Sequence, residues 1–239
     1  MRILVFQHVA VEHPGVFRDF WAEGGHDWVA VELDEGEVIP DLSGFDLLVV
    51  MGGPMDVWQD AELPWLTAEK AAIAAFVRDL GRPYLGVCLG HQLLAAALGG
   101  EVRPMRAPEV GFAEVELTSE GRADPLLCGF APRFETFQWH GSEVAALPDG
   151  SVALARNAAC PVQAMRWGRH AYGFQYHVEI TAETVPEWRR IPEYAASLKA
   201  ALGDEAAKLE ASVGPRLPVF REAARRMNDN LTALVASRA

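Results

Sequence analysis

Apolar runs alternate with amphipathic segments over the first fifty residues of the chain. The segments "RILVFQH" (2–8) and "WVAVEL" (28–33) are rich in β-branched residues and predict strands. Between them, "PGVFRDFWAEGG" (14–25) predicts a helix that two glycines end. A third run, "FDLLVVM" (45–51), is almost entirely apolar, as expected of a strand covered on both faces. The pattern predicts strands connected by helices.

One more helix, strand and helix are predicted before residue 100. The segment "PWLTAEKAAIAAFVRDLG" (64–81) repeats apolar residues at helical spacing and ends at a glycine. "RPYLGVC" (82–88) predicts a short strand, and "HQLLAAALGG" (91–100) predicts the helix that follows it at once. This alternation is typical of a parallel sheet covered by helices, in which ligands bind at the carboxyl ends of the strands. We therefore predict an α/β fold with a mainly parallel central sheet and flanking helices.

After residue 100 the pattern changes to short, partly alternating segments that predict strands, some of them antiparallel. These segments are "EVRP" (101–104), "GFAEVELT" (111–118), "SVALARN" (151–157), "PVQAMRW" (161–167) and "AYGFQYH" (171–177). From "AETVPEW" (182–188) onward the pattern is helical, most clearly in "VFREAARRMNDNLTALVASR" (219–238). The chain shows no internal repeat and no linker-like composition, so we predict one folded domain.

Composition and charge exclude several classes of protein. The chain has 239 residues, half of them hydrophobic, which is enough for a full core. Its 33 acidic and 21 basic residues give a net charge of −12, which argues against nucleic acid or an anionic membrane as the main partner. No window offers 18 apolar residues, because His91 and Gln92 interrupt the best candidate. With only three cysteines and no signal-peptide pattern, we predict a cytoplasmic protein.

The first candidate for chemistry lies where the predicted strand 82–88 meets its helix. The pentapeptide "GVCLG" (86–90) places Cys88 between two glycines, which matches the G-x-S-x-G turn with sulfur in place of oxygen. A nucleophile on such a turn needs small neighbours because its own backbone is strained, and the N-terminus of the next helix favours the thiolate. Cysteine is also commonly a small buried hydrophobic residue, so the pentapeptide alone leaves both interpretations open.

A second motif offers a base for this cysteine. The segment "AYGFQYHVEI" (171–180) places His177 and Glu179 two residues apart after an apolar run. In an extended chain such residues project to the same side, so Glu179 could hold one imidazole nitrogen while the other faces Cys88. The alternatives are a charged surface pair or a weak metal pair. Because the sequence offers no compact set of further ligands, we predict no metal site.

A third motif, "LLVVMGGPMDVW" (47–58), ends a predicted strand in Gly52 and Gly53. Glycines let backbone N–H groups approach a ligand closely, and acyl transfer needs such donors for its oxyanion. The Gly53 and Leu89 N–H groups would supply two of them. The alternative is an ordinary Gly-Pro turn. No sequence pattern assigns a role to the remaining histidines that we considered, which are His8, His13, His26 and His170.

Together these segments resemble the class I glutamine amidotransferase family, most of all the glutaminase half of GMP synthase and its stand-alone relatives. The matching segments are "MGGP" (51–54), "GVCLGHQ" (86–92), "WHGSEV" (139–144) and "FQYHVE" (174–179). The resemblance implies a flavodoxin-like single domain over residues 1–185, followed by a helical extension at 186–239. It also implies the site residues, which are Cys88 as nucleophile, His177 as base, Glu179 as its partner, Gly53 and Leu89 as oxyanion donors, and Gly52, Gln92, Gly141 and Ser142 as substrate contacts.

The implied reaction is release of ammonia from the glutamine side-chain amide through a γ-glutamyl thioester, with no cofactor. The sequence contains no nucleotide-binding P-loop, so a separate synthetase subunit would consume the ammonia. A stand-alone γ-glutamyl peptidase would share every catalytic residue, and a non-catalytic binding module remains as a third interpretation. The C-terminal helices could cover the domain, pair two copies of the chain in a homodimer, or dock a partner.

Overall fold

A nine-stranded sheet forms the centre of the computed structural model, which describes residues 1–237. The strands are β1 (Arg2–Gln7), β2 (Asp27–Glu32), β3 (Leu47–Val50), β4 (Tyr84–Val87), β5 (Glu101–Leu117), β6 (Arg133–Ala146), β7 (Ser151–Arg156), β8 (Ala164–Trp167) and β9 (Ala171–Phe174). The α-helices are α1 (Phe17–Glu23), α2 (Trp65–Ala74), α3 (Leu89–Ala97), α4 (Ser119–Ala123), α5 (Thr184–Trp188), α6 (Pro192–Leu202), α7 (Ala206–Val213) and α8 (Leu217–Ala236). A π-helical turn, Ala75–Asp79, extends α2.

The strand order is β2-β1-β3-β4-β9-β8-β7-β5-β6. The first five strands in this order are parallel, and the pairs from β9 to β6 are antiparallel. The predicted α/β fold with a central sheet and flanking helices is therefore confirmed, and the sheet is mixed rather than purely parallel. The reason lies in the connections: β7, β8 and β9 follow one another through short loops, which can join only antiparallel neighbours.

Both faces of the parallel half are covered. Every residue of β3, β4 and β9 is buried, as their continuous apolar runs predicted. Side chains of β1 alternate between the two cores: Ile3 and Val5 pack with α1 and α8, whereas Leu4 and Phe6 pack with α2 and α3. This burial fixes the strand register, and it brings the carboxyl ends of β1, β3, β4 and β9 to one edge of the sheet.

The long hairpin of β5 and β6 was predicted only in part. Two of the predicted strands, 101–104 and 111–118, are the ends of one strand that shifts register between Pro104 and Glu109. Strand β6 had no sequence signal, because polar residues occupy its buried positions. Gln138 donates to Gln163 at 3.1 Å and contacts His140 at 3.1 Å, so these side chains form a polar network inside the protein.

The described part of the C-terminal segment packs on the sheet. Ala224, Met227 and Leu231 of α8 belong to the core beside α1, and the tryptophan of α5 packs with Phe137 and Trp139 of β6. The helix predicted at 219–238 is α8, and the last residue of that prediction, Arg238, lies outside the described residues. The boundary between residues 185 and 186 stays a prediction. None of the helices within residues 1–237 is long and apolar enough to cross a membrane.

Candidate active site

Cys88 occupies a strained turn between β4 and α3. Its φ and ψ are 52° and −104°, and no other non-glycine residue among 1–237 has a positive φ. A Cβ on Gly86 would lie 2.4 Å from the Gly90 carbonyl oxygen, and one on Gly90 would lie 2.1 Å from the Val50 carbonyl oxygen. Both glycines are therefore required by close backbone packing, and strain of this kind persists only where the surrounding structure imposes it.

His177 and Glu179 form a buried pair next to the turn. His177 Nδ1 lies 2.6 Å from Glu179 Oε1, and Glu179 Oε2 accepts the Val178 N–H at 2.9 Å. The backbone of His177 bonds that of Phe137 in both directions, and the Trp188 ring lies edge-on with its centroid 4.9 Å from the imidazole centroid. The ring is thus fixed in place, and its buried Nε2 has no hydrogen-bond partner among residues 1–237.

The electrostatics couple the cysteine to the histidine. Burial lowers the pKa of His177, but the Glu179 carboxylate and Cys88 outweigh this and hold it well above its ordinary value. Burial raises the pKa of the Cys88 thiol, and the interaction with His177 opposes that rise. The sequence indicated that the helix N-terminus favours the thiolate, but burial has the larger effect and the net pKa of Cys88 is raised. His177 is the neighbour that favours the thiolate.

A cavity of about 230 Å³ opens over Cys88. Six of the predicted site residues line it: Gly53, Cys88, Leu89, Gln92, Gly141 and Ser142. His177, Glu179 and Gly52 are buried and do not line it. A larger depression of about 610 Å³ lies near Met1, at the opposite ends of the strands and away from the cysteine.

Hydrogen bonds connect the elements that line the cavity. Gln92 Nε2 donates to the Ser142 carbonyl and to Gln175 Oε1, each at 3.1 Å, and Ser142 Oγ donates to Asp56 Oδ1 at 2.7 Å. Gln175 Nε2 in turn lies 3.7 Å from Cys88 Sγ. A Cβ on Gly141 would meet no atom within 4 Å, so the backbone there faces open space. The arrangement holds α3, β6 and the segment after β9 around one opening.

Several residues of this site were not predicted from the sequence. Gln175 lies inside the motif 174–179, so its proximity to His177 was an available signal. Tyr194 lines the cavity and Trp188 contacts His177, but neither belongs to a motif. Glu12 follows β1 in an apolar stretch, and its burial could not be inferred from neighbouring residues.

Glu12 is a fully buried carboxyl group that nothing in the sequence had indicated. Its Oε1 accepts a short hydrogen bond from the Tyr194 hydroxyl, which ties α6 to the loop after β1. Its Oε2 has no hydrogen-bond partner among the described residues and lies 2.5 Å from where a Cβ on Gly52 would be. Burial raises the pKa of Glu12 from 4.5 to about 7, against the opposing effect of His177.

Replacing Glu12 by glutamine is expected to change how stability depends on pH. The folded protein keeps a proton on Glu12 that the unfolded chain releases above pH 4.5, so this residue lowers the free energy of unfolding as pH rises from about 4.5 to 7. The loss is on the order of 3 kcal/mol. Urea unfolding from pH 4.5 to 8 should show that Glu12→Gln removes this decline, whereas Glu35→Gln, at an exposed site, keeps it. An unchanged slope in the Glu12 variant would contradict the assignment.

The fold and site define an α/β protein whose cysteine sits on a strained strand-to-helix turn beside a buried His–Glu pair. The family model described as glutamine amidotransferase class-I matches residues 23–187. The chain therefore belongs to the class I glutamine amidotransferase family, a family of hydrolase and amidotransferase enzymes, and the resemblance seen in the motifs is confirmed.

Individual relatives agree with this membership. The chain is 32% identical over 189 residues to the glutamine amidotransferase-like protein YfeJ of Salmonella typhimurium, covering 77% of this chain and 78% of that protein. It is 34% identical over 152 residues to one subunit of the glutamine-hydrolyzing GMP synthase of Sulfolobus acidocaldarius, covering 63% of this chain and 76% of that relative. The solved structure of a glutamine amidotransferase from Thermotoga maritima matches with a TM-score of 0.85 and 26% identity, covering 98% of both chains.

Proposed function

We propose that this protein hydrolyses the side-chain amide of glutamine, releasing ammonia through a γ-glutamyl thioester on Cys88. The observation that carries the proposal is the strained Cys88 turn at the cavity floor, next to an imidazole whose Nδ1 is held by Glu179 at 2.6 Å. A cysteine and a histidine oriented by a third group form the usual unit of nucleophilic catalysis. The family membership supports the same class of reaction.

The first half of the proposed reaction forms the thioester. The Cys88 thiolate attacks the γ-carbonyl carbon, and the carbonyl electron pair moves onto oxygen. The N–H groups of Gly53 and Leu89 stabilise this oxyanion. Leu89 is the first residue of α3, so its N–H has no partner within the helix. His177 then gives its proton to the departing nitrogen, the C–N bond breaks, and ammonia leaves.

The second half hydrolyses the thioester. With His177 now neutral, its Nε2 takes a proton from water as the water oxygen bonds to the acyl carbon. Collapse of this second tetrahedral intermediate expels the Cys88 thiolate and leaves glutamate. Glu179 keeps Nδ1 protonated throughout, so that Nε2 is the nitrogen that exchanges protons.

The cavity walls would hold the amino-acid end of the substrate. We assign this role to the backbone of Gly141 and Ser142 with Gln92 beside them, whereas a substrate contact by Gly52, which is buried and does not line the cavity, stays a prediction. Asp56 and Glu193 also line the opening, and their carboxyl groups suit the α-ammonium group of glutamine. No cofactor is required by this scheme, and we propose that the protein works in the cytoplasm.

Two functions are compatible with the same chemistry, one with a partner subunit and one without. The relative from Sulfolobus acidocaldarius is named as one subunit of a GMP synthase, so we propose that ammonia from this chain serves a separate synthetase subunit. The second candidate is a stand-alone γ-glutamyl peptidase. It is favoured by α6, whose Tyr194 and Ser197 line the cavity and could contact a larger leaving group. A homodimer stays a prediction.

Steady-state kinetics of the purified chain alone separates these candidates. We expect kcat/KM for glutamine to exceed that for a γ-glutamyl dipeptide or γ-glutamyl anilide by about tenfold or more, because the cavity of about 230 Å³ leaves little room for a larger leaving group. Ammonia and amine release should be measured in parallel, with a Cys88→Ala sample as the background. Brisk peptide cleavage with little glutaminase activity would reverse the order of the two candidates.

A further inference from the structure

A second buried histidine–carboxylate pair contacts the Gly52–Gly53 segment and has no role in the scheme above. His8 Nε2 is 2.9 Å from Glu69 Oε1, and neither side chain is exposed to solvent. His8 Nδ1 is 2.8 Å from the Gly52 carbonyl oxygen, and the ring stacks on Trp65. Burying such a pair costs desolvation free energy that burying an apolar pair would not cost. A functional role would explain why the protein contains it.

The hydrogen bond to Gly52 fixes the direction of the next N–H group. A carbonyl oxygen only accepts, so Nδ1 of His8 must donate to it. The described residues contain no cis peptide bond, and in a planar trans peptide the C=O and N–H point in opposite directions. Because the Gly52 carbonyl points at His8, the Gly53 N–H points away from His8. None of the hydrogen bonds formed by residues 1–237 uses that N–H group.

The peptide between Gly52 and Gly53 needs such an anchor. Two glycines in sequence permit many backbone conformations, so this peptide could rotate with little steric cost from side chains of its own. The surroundings restrict it: a Cβ on Gly53 would lie 2.9 Å from His8 Cβ and 3.0 Å from Leu89 Cδ2. His8 therefore packs against the glycine and also holds the carbonyl.

The groups around His8 strengthen the anchor. Burial lowers the pKa of His8, but Glu69, the hydrogen bond to the Gly52 carbonyl and Glu12 together raise it above its ordinary value. The acidic groups that act on the ring come from three places: Glu69 on α2, Glu12 after β1, and Glu32 at the end of β2. Glu69, 2.9 Å from Nε2, polarises the ring so that Nδ1 becomes a better donor to the Gly52 carbonyl, and that hydrogen bond in turn polarises the peptide and its opposite N–H.

We propose that His8, held by Glu69, is a positioning residue that sets the Gly52–Gly53 peptide with its N–H ready for the oxyanion, without the help of a partner protein. The inference rests on the proposed function, because it assigns the Gly53 N–H to that reaction. It predicts that the oxyanion donor is in place before any synthetase subunit binds. An ammonia donor that relied on its partner to order this loop would not need the buried pair.

Variants of His8 test the inference through the division between kcat and KM. His8→Leu removes the anchor, and we expect kcat for glutamine to fall by about 10²- to 10³-fold, the usual effect of losing one oxyanion donor. KM and the rate of Cys88 alkylation by iodoacetamide should change little, because neither needs an oxyanion. His8→Asn places an amide N–H near the position of Nδ1 and should recover at least about tenfold in kcat. His26→Asn, at the opposite edge of the sheet beside Met1, is the matched control.

A direct probe of the oxyanion site is the aldehyde analogue of glutamine, which forms a tetrahedral adduct with a cysteine. Its affinity should fall in His8→Leu by the same factor as kcat. If His8→Leu does not fold, the Glu69→Gln variant tests the inference instead. We expect it to lose about tenfold in kcat at unchanged KM. The inference is overturned if kcat stays at the wild-type value. It is also overturned if kcat and the alkylation rate fall while KM rises, as expected of general destabilisation.

The inference and the proposed function can fail separately. If the wild-type protein hydrolyses neither glutamine nor a γ-glutamyl compound, the proposed function is wrong. Crystal structures of the wild type and a folded His8 variant then decide the inference. A rotated Gly52–Gly53 peptide in the variant supports the anchor, and an unchanged peptide overturns it.

Discussion

Replacing Cys88 by alanine is expected to reduce kcat for glutamine by about 10⁴-fold or more, to the level of the solution background. The reason is that nucleophile and base act as one unit, so loss of either member removes most of the acceleration. Ammonia release in the steady state measures the effect, and the thermal unfolding midpoint of the variant should stay near that of the wild type. The alanine leaves the turn with one fewer buried sulfur and no change in the flanking glycines.

Selective labelling checks the same residue without relying on turnover. A glutamine-like diazo-ketone should modify Cys88, which lines the cavity beside His177. Cys128 is exposed and serves as an internal comparison, whereas Cys160 is buried with its pKa raised by burial to about 12. Equal labelling of Cys128 and Cys88 would show that Cys88 is not activated. Full cellular function of Cys88→Ala and His177→Ala variants would favour a non-catalytic binding module.

Replacing Glu179 by glutamine is expected to lower kcat by about 10³- to 10⁴-fold while leaving KM nearly unchanged. Glu179 accepts from His177 Nδ1 at 2.6 Å, and its charge raises the pKa of that imidazole. A glutamine amide can turn its NH₂ toward the ring and stabilise the tautomer with the proton on Nε2, which cannot take a proton from Cys88 or water. Glu179 does not line the cavity, so we expect substrate binding to persist.

The kcat/KM profile against pH and a nearby control complete this experiment. Without the carboxylate, the pKa of His177 should fall, because its largest favourable interaction is lost. The control is Glu183→Gln, an exposed residue four positions along the chain, for which we expect wild-type kinetics. A Glu179→Gln variant with kcat within about tenfold of the wild type would mean that the ring is oriented by Phe137 and Trp188 alone.

Local sequence was enough for the Cys88 turn and the parallel half of the fold. The apolar runs of β1, β3 and β4 are buried on both faces of the sheet. A continuous apolar run can be recognised in the sequence without knowing which residues it contacts. Glycine is required at positions 86 and 90 because a side chain there would collide with the backbone of the same turn or of the neighbouring strand β3. The motif around His177 also places its carboxylate partner only two residues away. Each of these features depends on neighbours that are close along the chain.

The strand order of the sheet and strand β6 needed the tertiary structure. Gln138 and His140 look like surface residues in sequence, yet they lie inside the protein because Gln163, Glu109 and each other satisfy their hydrogen bonds. A polar residue is predicted to be exposed unless its partner is known, and here the partners are about 25 to 31 residues away.

Motifs in the sequence were sufficient to predict the family, the turn that carries Cys88 and the pairing of His177 with Glu179. Three contacts became known from the folded structure: α6 forms a wall of the cavity, Tyr194 bonds Glu12, and His8, itself bonded to Glu69, holds the Gly52 carbonyl. These contacts join residues that are far apart along the chain, because Glu12 and Tyr194 are separated by 182 positions, and His8 and Glu69 by 61. Steric requirements of the backbone depend on neighbouring residues and can be predicted from short sequence patterns. A buried polar contact depends on which distant residue the packing of the sheet brings next to it.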